Sequence, residues 1–316
     1  MDRRAKVRVA LVGFGAIGRH HARNLASMAE VEFLCVVEPR ENTRKEAADN
    51  GHPVVPDIET ALALRPDAVV LAAPTALHYS VGMQIIEAGC ALLVEKPIAQ
   101  TVVEGEALIA AAAAKKVALT VGYVERYNPA ISALRALISR GDLGDIFTIS
   151  ARRVGLMPPR ITDANVLVDI GVHDIDIVSY LTNKPLSLVS ALGGRAFLDD
   201  RVDYAVLAID AAGIAVHIET NWITPVKVRE LTVVGQFGLC QVDYIKRTAR
   251  WKSRENLGEF FELPVEDEEP IRRELRHFVS TVSSGNFDDP RPSLESLRIA
   301  EEATISIENI RMEHHQ

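Results

Sequence analysis

The chain has 316 residues, 48% of them hydrophobic and 25% charged, and its 35 basic against 43 acidic side chains leave a formal charge of −8. That length can bury two cores but is short for three, and the dispersed lysines and arginines form no stripe for a nucleic-acid backbone. The three cysteines, Cys35, Cys90 and Cys240, lie far apart with no C-x-x-C pair, which argues against a disulfide or zinc framework.

The first residues run directly into Val7–Val12, leaving no room for a signal peptide, and no apolar run reaches the roughly 20 residues that span a bilayer. A soluble, cytoplasmic protein without membrane or nucleic-acid partners is expected. From Val7 the sequence alternates short apolar runs with helix-length segments. The runs are Val7–Val12, Phe33–Val37, Ala68–Ala72, Ala91–Val94 and Val117–Val121, and their unbroken apolarity predicts strands covered on both faces. An α/β fold follows: a doubly wound parallel Rossmann sheet over residues 1–121, then a second domain over 122–316.

In that second domain a helix is predicted near Pro129–Arg140, a strand near Ile146–Val154 and a helix near Val172–Leu181. Strands with turns between them follow from Leu186 to about Trp251, giving an open, mostly antiparallel sheet. The acidic stretch Glu266–Glu269 reads as a solvated entry to a helix near Ile271–Ser283. The final helix is predicted over 293–312 with Ser293 as N-cap, packing back on the first domain.

Straight after the first run stands Gly13-Phe14-Gly15-Ala16-Ile17-Gly18, and Glu38 ends the next run about 20 residues further on. A lone G-x-G-x-x-G is weak, but between a strand and a helix it is a dinucleotide fingerprint. Gly13 permits the tight turn, Gly15 admits the pyrophosphate and Gly18 allows close helix packing, while the helix start receives the phosphate charge. Glu38 suits the adenosine ribose hydroxyls and repels a 2′-phosphate, so NAD is the expected cofactor. Arg40 beside it could pair with that phosphate or stand solvated in its loop. Ala73-Pro74-Thr75 ends the third run at the sheet's carboxyl edge, where Ala73, Thr75 and nearby His78 are expected to line the cofactor unless His78 serves only as a helix cap.

Glu95-Lys96-Pro97 closes the fourth run, which projects Lys96 from the same edge toward the nicotinamide, with Glu95 orienting the segment or touching the ribose. Asp169 and His173 are four apart and share a face if the helix starts slightly early. His173 is the side chain best matched to taking a proton near neutral pH, against the alternative of a capping pair. Asp174 and Asp176 around one histidine resemble a metal cluster, yet no second histidine stands at ligand spacing, so no metal is expected. Arg126, Arg152, Arg153 and Arg160 offer guanidinium groups to a diphosphate, or pair with surface acids, and Tyr123 and Asn128 offer hydrogen bonds to a sugar.

Together, Gly13 to Gly18, Ala73-Pro74-Thr75, Glu95-Lys96-Pro97 and Asp169-x-Gly171-x-His173 resemble the glucose–fructose oxidoreductase/inositol dehydrogenase/MocA (Gfo/Idh/MocA) family over essentially the whole chain. The resemblance implies a Rossmann domain and an α/β domain whose open sheet face packs on another subunit, as a dimer or homotetramer. It implies that Lys96 and His173 contact the reacting hydroxyl, with Asp169 auxiliary. Three stretches, Val121 to Pro129, Arg152 to Arg160 and Asn221 to Glu230, are most similar to the members that oxidise the C3 hydroxyl of UDP-N-acetylglucosamine. That implies a UDP-sugar substrate and an aminotransferase that consumes the keto product for lipid A or surface-glycan synthesis. Another polyol or sugar (inositol, an aldose, UDP-GlcNAc uronic acid) and a non-catalytic NAD-dependent sensor are the alternatives.

Overall fold

The computed structural model describes residues 6–157, 164–256 and 258–314. In chain order the elements are β1 (Val7–Val12), α1 (Ala16–Ser27), β2 (Val31–Val37), α2 (Glu41–Asp49), β3 (Val54–Val55), α3 (Ile58–Ala63), β4 (Ala68–Leu71), α4 (His78–Glu87), β5 (Ala91–Glu95), α5 (Val102–Lys115) and β6 (Leu119–Gly122). There follow α6 (Pro129–Ser139), β7 (Ile146–Leu156), α7 (Val172–Thr182), β8 (Ser187–Gly194), β9 (Tyr204–Ala211), β10 (Ile214–Asn221), β11 (Ile223–Gly235), β12 (Gly238–Asp243), β13 (Thr248–Ser253), β14 (Phe261–Glu262), α8 (Pro270–Ser284) and α9 (Arg291–His314). Two units emerge: Met1–Val124 with Glu269–Leu294, and Glu125–Glu268 with Glu295–Gln316.

The first unit holds a six-stranded sheet of order β3-β2-β1-β4-β5-β6, parallel throughout. Strand order reverses between β1 and β4, which opens a crevice at their carboxyl ends. Every residue of β4 and β5 is buried, as expected of strands sandwiched between helices. The short edge strand β3 carries no apolar run and escapes a reading by hydrophobicity.

Segment 269–294 is what returns to the first unit, in place of the expected final helix. The cause is the apolar stripe of α8, in which Ile271, Leu275, Phe278 and Val279 join Phe14, Leu25, Val70 and Leu93 in one core. From Glu295 onward α9 belongs to the second unit, where its polar side chains are met: Arg298 donates to the Leu186 carbonyl and Arg195 pairs with Glu308 at 2.8 Å. Helix α9 begins at Arg291, so Ser293 lies inside it and is not its cap.

The second unit is built on an eight-stranded sheet of order β14-β13-β12-β11-β7-β10-β9-β8. Only the β7–β10 pair is parallel; the other ladders are antiparallel. Period-two alternation puts Ile149, Ala151 and Arg153 on the buried face and Ser150 and Arg152 on the other. On that second face Leu192, Tyr204 and Val206 are exposed, with Leu192 paired directly to Val206 across β8 and β9. Among the described residues no helix is long and apolar enough to cross a membrane.

Candidate active site

At the carboxyl edge of the first sheet the glycine loop passes from β1 into α1. Gly13 has φ +93°, and a Cβ on it would fall 2.5 Å from the Ala72 carbonyl oxygen; one on Gly18 would fall 2.3 Å from the Gly13 oxygen. Both glycines are therefore dictated by packing inside the loop. Gly15 is different, since a Cβ there would meet no protein atom within 4 Å. Only a ligand would need that glycine, and α1 starts at Ala16 with no side chain capping its N–H groups, so the loop fits a pyrophosphate. Phe14 is buried below and Ile17 packs on the core, which fixes the loop from beneath.

Glu38, at the end of β2, accepts the Phe14 N–H at 3.2 Å and the Arg40 N–H and Nε–H at 3.1 and 2.9 Å. Burial opposes its ionisation, but these bonds and the Arg40 charge outweigh it and hold the carboxyl below the usual range. Arg40 pairs with Glu38 while its side chain stays 68% exposed, so it is solvated in its loop as well. A carboxylate kept charged at the ribose position favours the unphosphorylated cofactor. The expected result in a kinetic comparison is a clearly higher kcat/KM with NAD than with NADP; equal values would overturn the role given to Glu38.

After β4, Ala73 and Thr75 stand half-buried where a turn leads into α4. His78 was expected to line the cofactor, but it is 1% exposed and faces the protein: Nδ1 is 2.8 Å from the Pro97 carbonyl and Nε2 is 3.0 Å from that of Ala73. It ties the Ala73-Pro74-Thr75 loop to Glu95-Lys96-Pro97, and burial lowers its affinity for a proton. Within 91–99 every residue is buried except Lys96, whose segment leaves β5 at this edge. Glu95 is 9% exposed and accepts the Lys96 N–H at 3.3 Å. Its other oxygen lies 2.7 Å from Nε2 of His21, a residue the sequence reading passed over.

In the second unit a π-helical turn, Leu167–Gly171, runs straight into α7 and puts Asp169 and His173 one turn apart. Both are partly exposed in a stretch whose neighbours Val172, Asp174, Ile175 and Asp176 are buried. Asp174 and Asp176 form no metal cluster; each faces an arginine. Arg153 Nε is 2.8 Å from Asp174 and its Nη1 is 3.0 Å from Glu125, with the guanidinium 4.9 Å from the Tyr244 ring centroid. Arg126 makes a two-pronged pair with Asp176, its Nε at 2.7 Å. Burial pushes both aspartates above the usual carboxylate range, and the guanidinium groups pull the other way.

Several side chains expected to bind substrate are therefore engaged elsewhere. Arg126 and Arg153 hold α7 from below, and Arg152, on the opposite face of β7, pairs with Glu219 at 2.8 Å. Asn128 is 2% exposed and caps α6, accepting the Ala130 N–H and donating to Glu125 and the Tyr244 carbonyl. Tyr123 is wholly buried in the first unit with its hydroxyl 3.5 Å from the Ser293 carbonyl. Arg160 lies outside the described residues. Arg229 was not singled out from the sequence: burial and then Arg153 lower its proton affinity to about 10, while Asp174, Glu125 and Asp169 act in the opposite sense. Its place opposite Arg153 in the β11–β7 register is the signal that would have found it.

Two family profiles match this chain. One, described as an oxidoreductase family with an NAD-binding Rossmann fold, covers residues 7–123, and the second, a GFO/IDH/MocA C-terminal domain, covers 131–240. The chain belongs to the Gfo/Idh/MocA family. Its first unit is an NAD-binding Rossmann domain, and the family's chemistry is oxidation and reduction. Over 243 residues it is 28% identical to the UDP-N-acetylglucosamine 3-dehydrogenase of Acidithiobacillus ferrooxidans, covering 77% of this chain and 75% of that one. A crystal structure of that enzyme superposes with a TM-score of 0.88 at 24% identity, covering 97% of this chain and 99% of the other, a likeness of fold. The scyllo-inositol 2-dehydrogenase (NAD(+)) of Bacillus subtilis is 26% identical over 240 residues, 70% of this chain and 68% of that one.

Proposed function

We propose that the chain oxidises the C3 hydroxyl of UDP-N-acetylglucosamine with NAD, giving the 3-keto sugar nucleotide. The observation that carries the reading is Lys96, the one residue not buried in 91–99, at the sheet edge that also bears the glycine loop. The bound cofactor supplies a hydride acceptor in its nicotinamide. His173 takes the hydroxyl proton as the C3 hydride departs, Asp169 supports the imidazole, and Lys96 donates a hydrogen bond to the oxygen as alkoxide charge develops. Arg160 is assigned to the diphosphate, since Arg126 and Arg153 are committed to buried aspartates and Arg229 donates to the Val154 and Val228 carbonyls.

The choice of sugar nucleotide is supported by the sequence likeness to the 3-dehydrogenase, and the inositol dehydrogenase likeness favours a second reading, a free polyol. A second copy of the chain covers the sheet face carrying Leu192, Tyr204 and Val206, giving a dimer or homotetramer in the cytoplasm. Oxidising a secondary alcohol with NAD runs uphill, so an aminotransferase drawing off the ketone, toward a diamino sugar of lipid A or another surface glycan, completes the scheme. The test is NADH formation from NAD with UDP-N-acetylglucosamine, an aminotransferase and glutamate, beside free N-acetylglucosamine, UDP-GlcNAc uronic acid and inositol. Turnover confined to UDP-N-acetylglucosamine is expected; turnover confined to inositol would replace the substrate.

A further inference from the structure

Helices α1 and α8 each carry an ionisable residue in the middle of a buried stripe. On α1 the buried positions are Gly18, His21, Ala22, Asn24 and Leu25; on α8 they are Ile271, Glu274, Leu275, Phe278, Val279 and Thr281. His21 and Glu274 are both 0% exposed. Ionisable groups at such positions are strongly destabilising unless they meet one another, so their placement calls for a cause beyond packing.

The two converge on Glu95, the first residue of the Glu95-Lys96-Pro97 segment. One nitrogen or carboxylate oxygen from each of His21, Glu95 and Glu274 lies within 4.8 Å of the others. His21 Nε2 lies 2.7 Å from Glu95 Oε1, a hydrogen bond between the ring and the carboxyl group.

Glu95 is held on its other side as well. Oε2 accepts the Lys96 N–H at 3.3 Å, and a Cβ on Gly122, at the end of β6, would fall 3.2 Å from that oxygen. The carboxylate is clamped between an imidazole rooted in α1 and the main chain that carries the lysine. Helix α1 is also the helix that follows the glycine loop assigned to the phosphates, and His21 lies only five residues beyond its start.

We propose that His21 is a positioning residue of the oxidoreductase reaction: backed by Glu274, it fixes Glu95 and, through it, sets Lys96 in register with the phosphate loop. The proposal rests on the reading of Lys96 as the group that meets the reacting hydroxyl. It links the phosphate loop to the lysine through the first half of α1 and Glu95, so that a bound cofactor and the hydrogen-bond donor are aligned before substrate arrives.

Three variants test it: His21→Leu, His21→Gln, whose side-chain amide donates from nearly the position of Nε2, and the double variant His21→Leu with Glu274→Leu, which also removes the second acid beside the leucine. NADH binding is measured by fluorescence titration, and kcat on whichever sugar the unaltered protein oxidises. His21→Leu is expected to lose kcat on the order of 100-fold, as a displaced catalytic group does, with a far smaller change in the NADH dissociation constant. His21→Gln recovers most of that loss. The double variant stays folded and as slow as His21→Leu. Near-normal kcat in the two leucine variants overturns the proposal while leaving the reading of Lys96 intact. Equal losses with glutamine and leucine, or kcat lost to a chelator and restored by a divalent cation, also overturn it, the latter in favour of a metal. An unaltered protein that reduces NAD with none of the sugars overturns the reading of Lys96 first, and this proposal with it.

Discussion

Lys96→Ala is expected to lower kcat on the order of 100- to 1,000-fold, the range seen when a donor to a developing oxyanion is removed, while the NADH dissociation constant changes little. The argument is positional. The segment leaves a fully buried strand, and between Ala91 and Ala99 only Lys96 escapes burial. An ammonium there has a compact charge and donors that a hydroxyl oxygen does not need in the ground state but does as it becomes an alkoxide. The effect therefore falls on kcat more than on binding. Steady-state NADH formation beside a fluorescence titration with NADH separates the two, and near-normal turnover would remove Lys96 from the mechanism.

Arg153→Met is expected to destabilise the fold by about 3–5 kcal/mol, the usual result of breaking a buried ion pair from one side. Arg153 is 4% exposed and Asp174 1%, and the guanidinium also meets the partly buried Glu125, so methionine would strand Asp174 where water does not reach and cost Glu125 a partner. Urea unfolding checks the magnitude. A double variant, Arg153→Met with Asp174→Leu, should recover part of the loss, because the stranded charge is then removed. If Arg153 instead bound the diphosphate, the single variant would melt normally and raise the KM for the sugar nucleotide.

The contrast between these residues shows what a sequence reading can reach. Strands of the first sheet announce themselves because both faces are buried, and Gly13 and Gly18 because neighbouring backbone excludes a side chain, whereas at Gly15 no protein atom does. Lys96 and the Asp169–His173 spacing draw notice in the sequence because they stand at the ends of apolar elements, and the structure leaves all three residues partly exposed. The roles of the arginines were not legible, because an isolated cation does not declare its partner. Parity along β7 held a clue, since Arg153 follows Ile149 and Ala151 on the covered face while Arg152 points the other way. Asn128 before Pro129 is likewise an N-cap signature, and the structure uses it as one. His21 and Glu274 lie on the apolar stripes of their helices, yet they come together with Glu95 across long stretches of chain, which periodicity does not reveal.

The central claim is that a hydride leaves C3 of the sugar nucleotide for NAD. UDP-N-acetylglucosamine carrying deuterium at C3, incubated with the protein and NAD, tests it directly by the mass of the NADH formed. The account predicts reduced cofactor heavier by one deuterium and a 3-keto product without it. NADH formed without the label would contradict the assignment of C3, and no NADH from this substrate would contradict the sugar nucleotide itself.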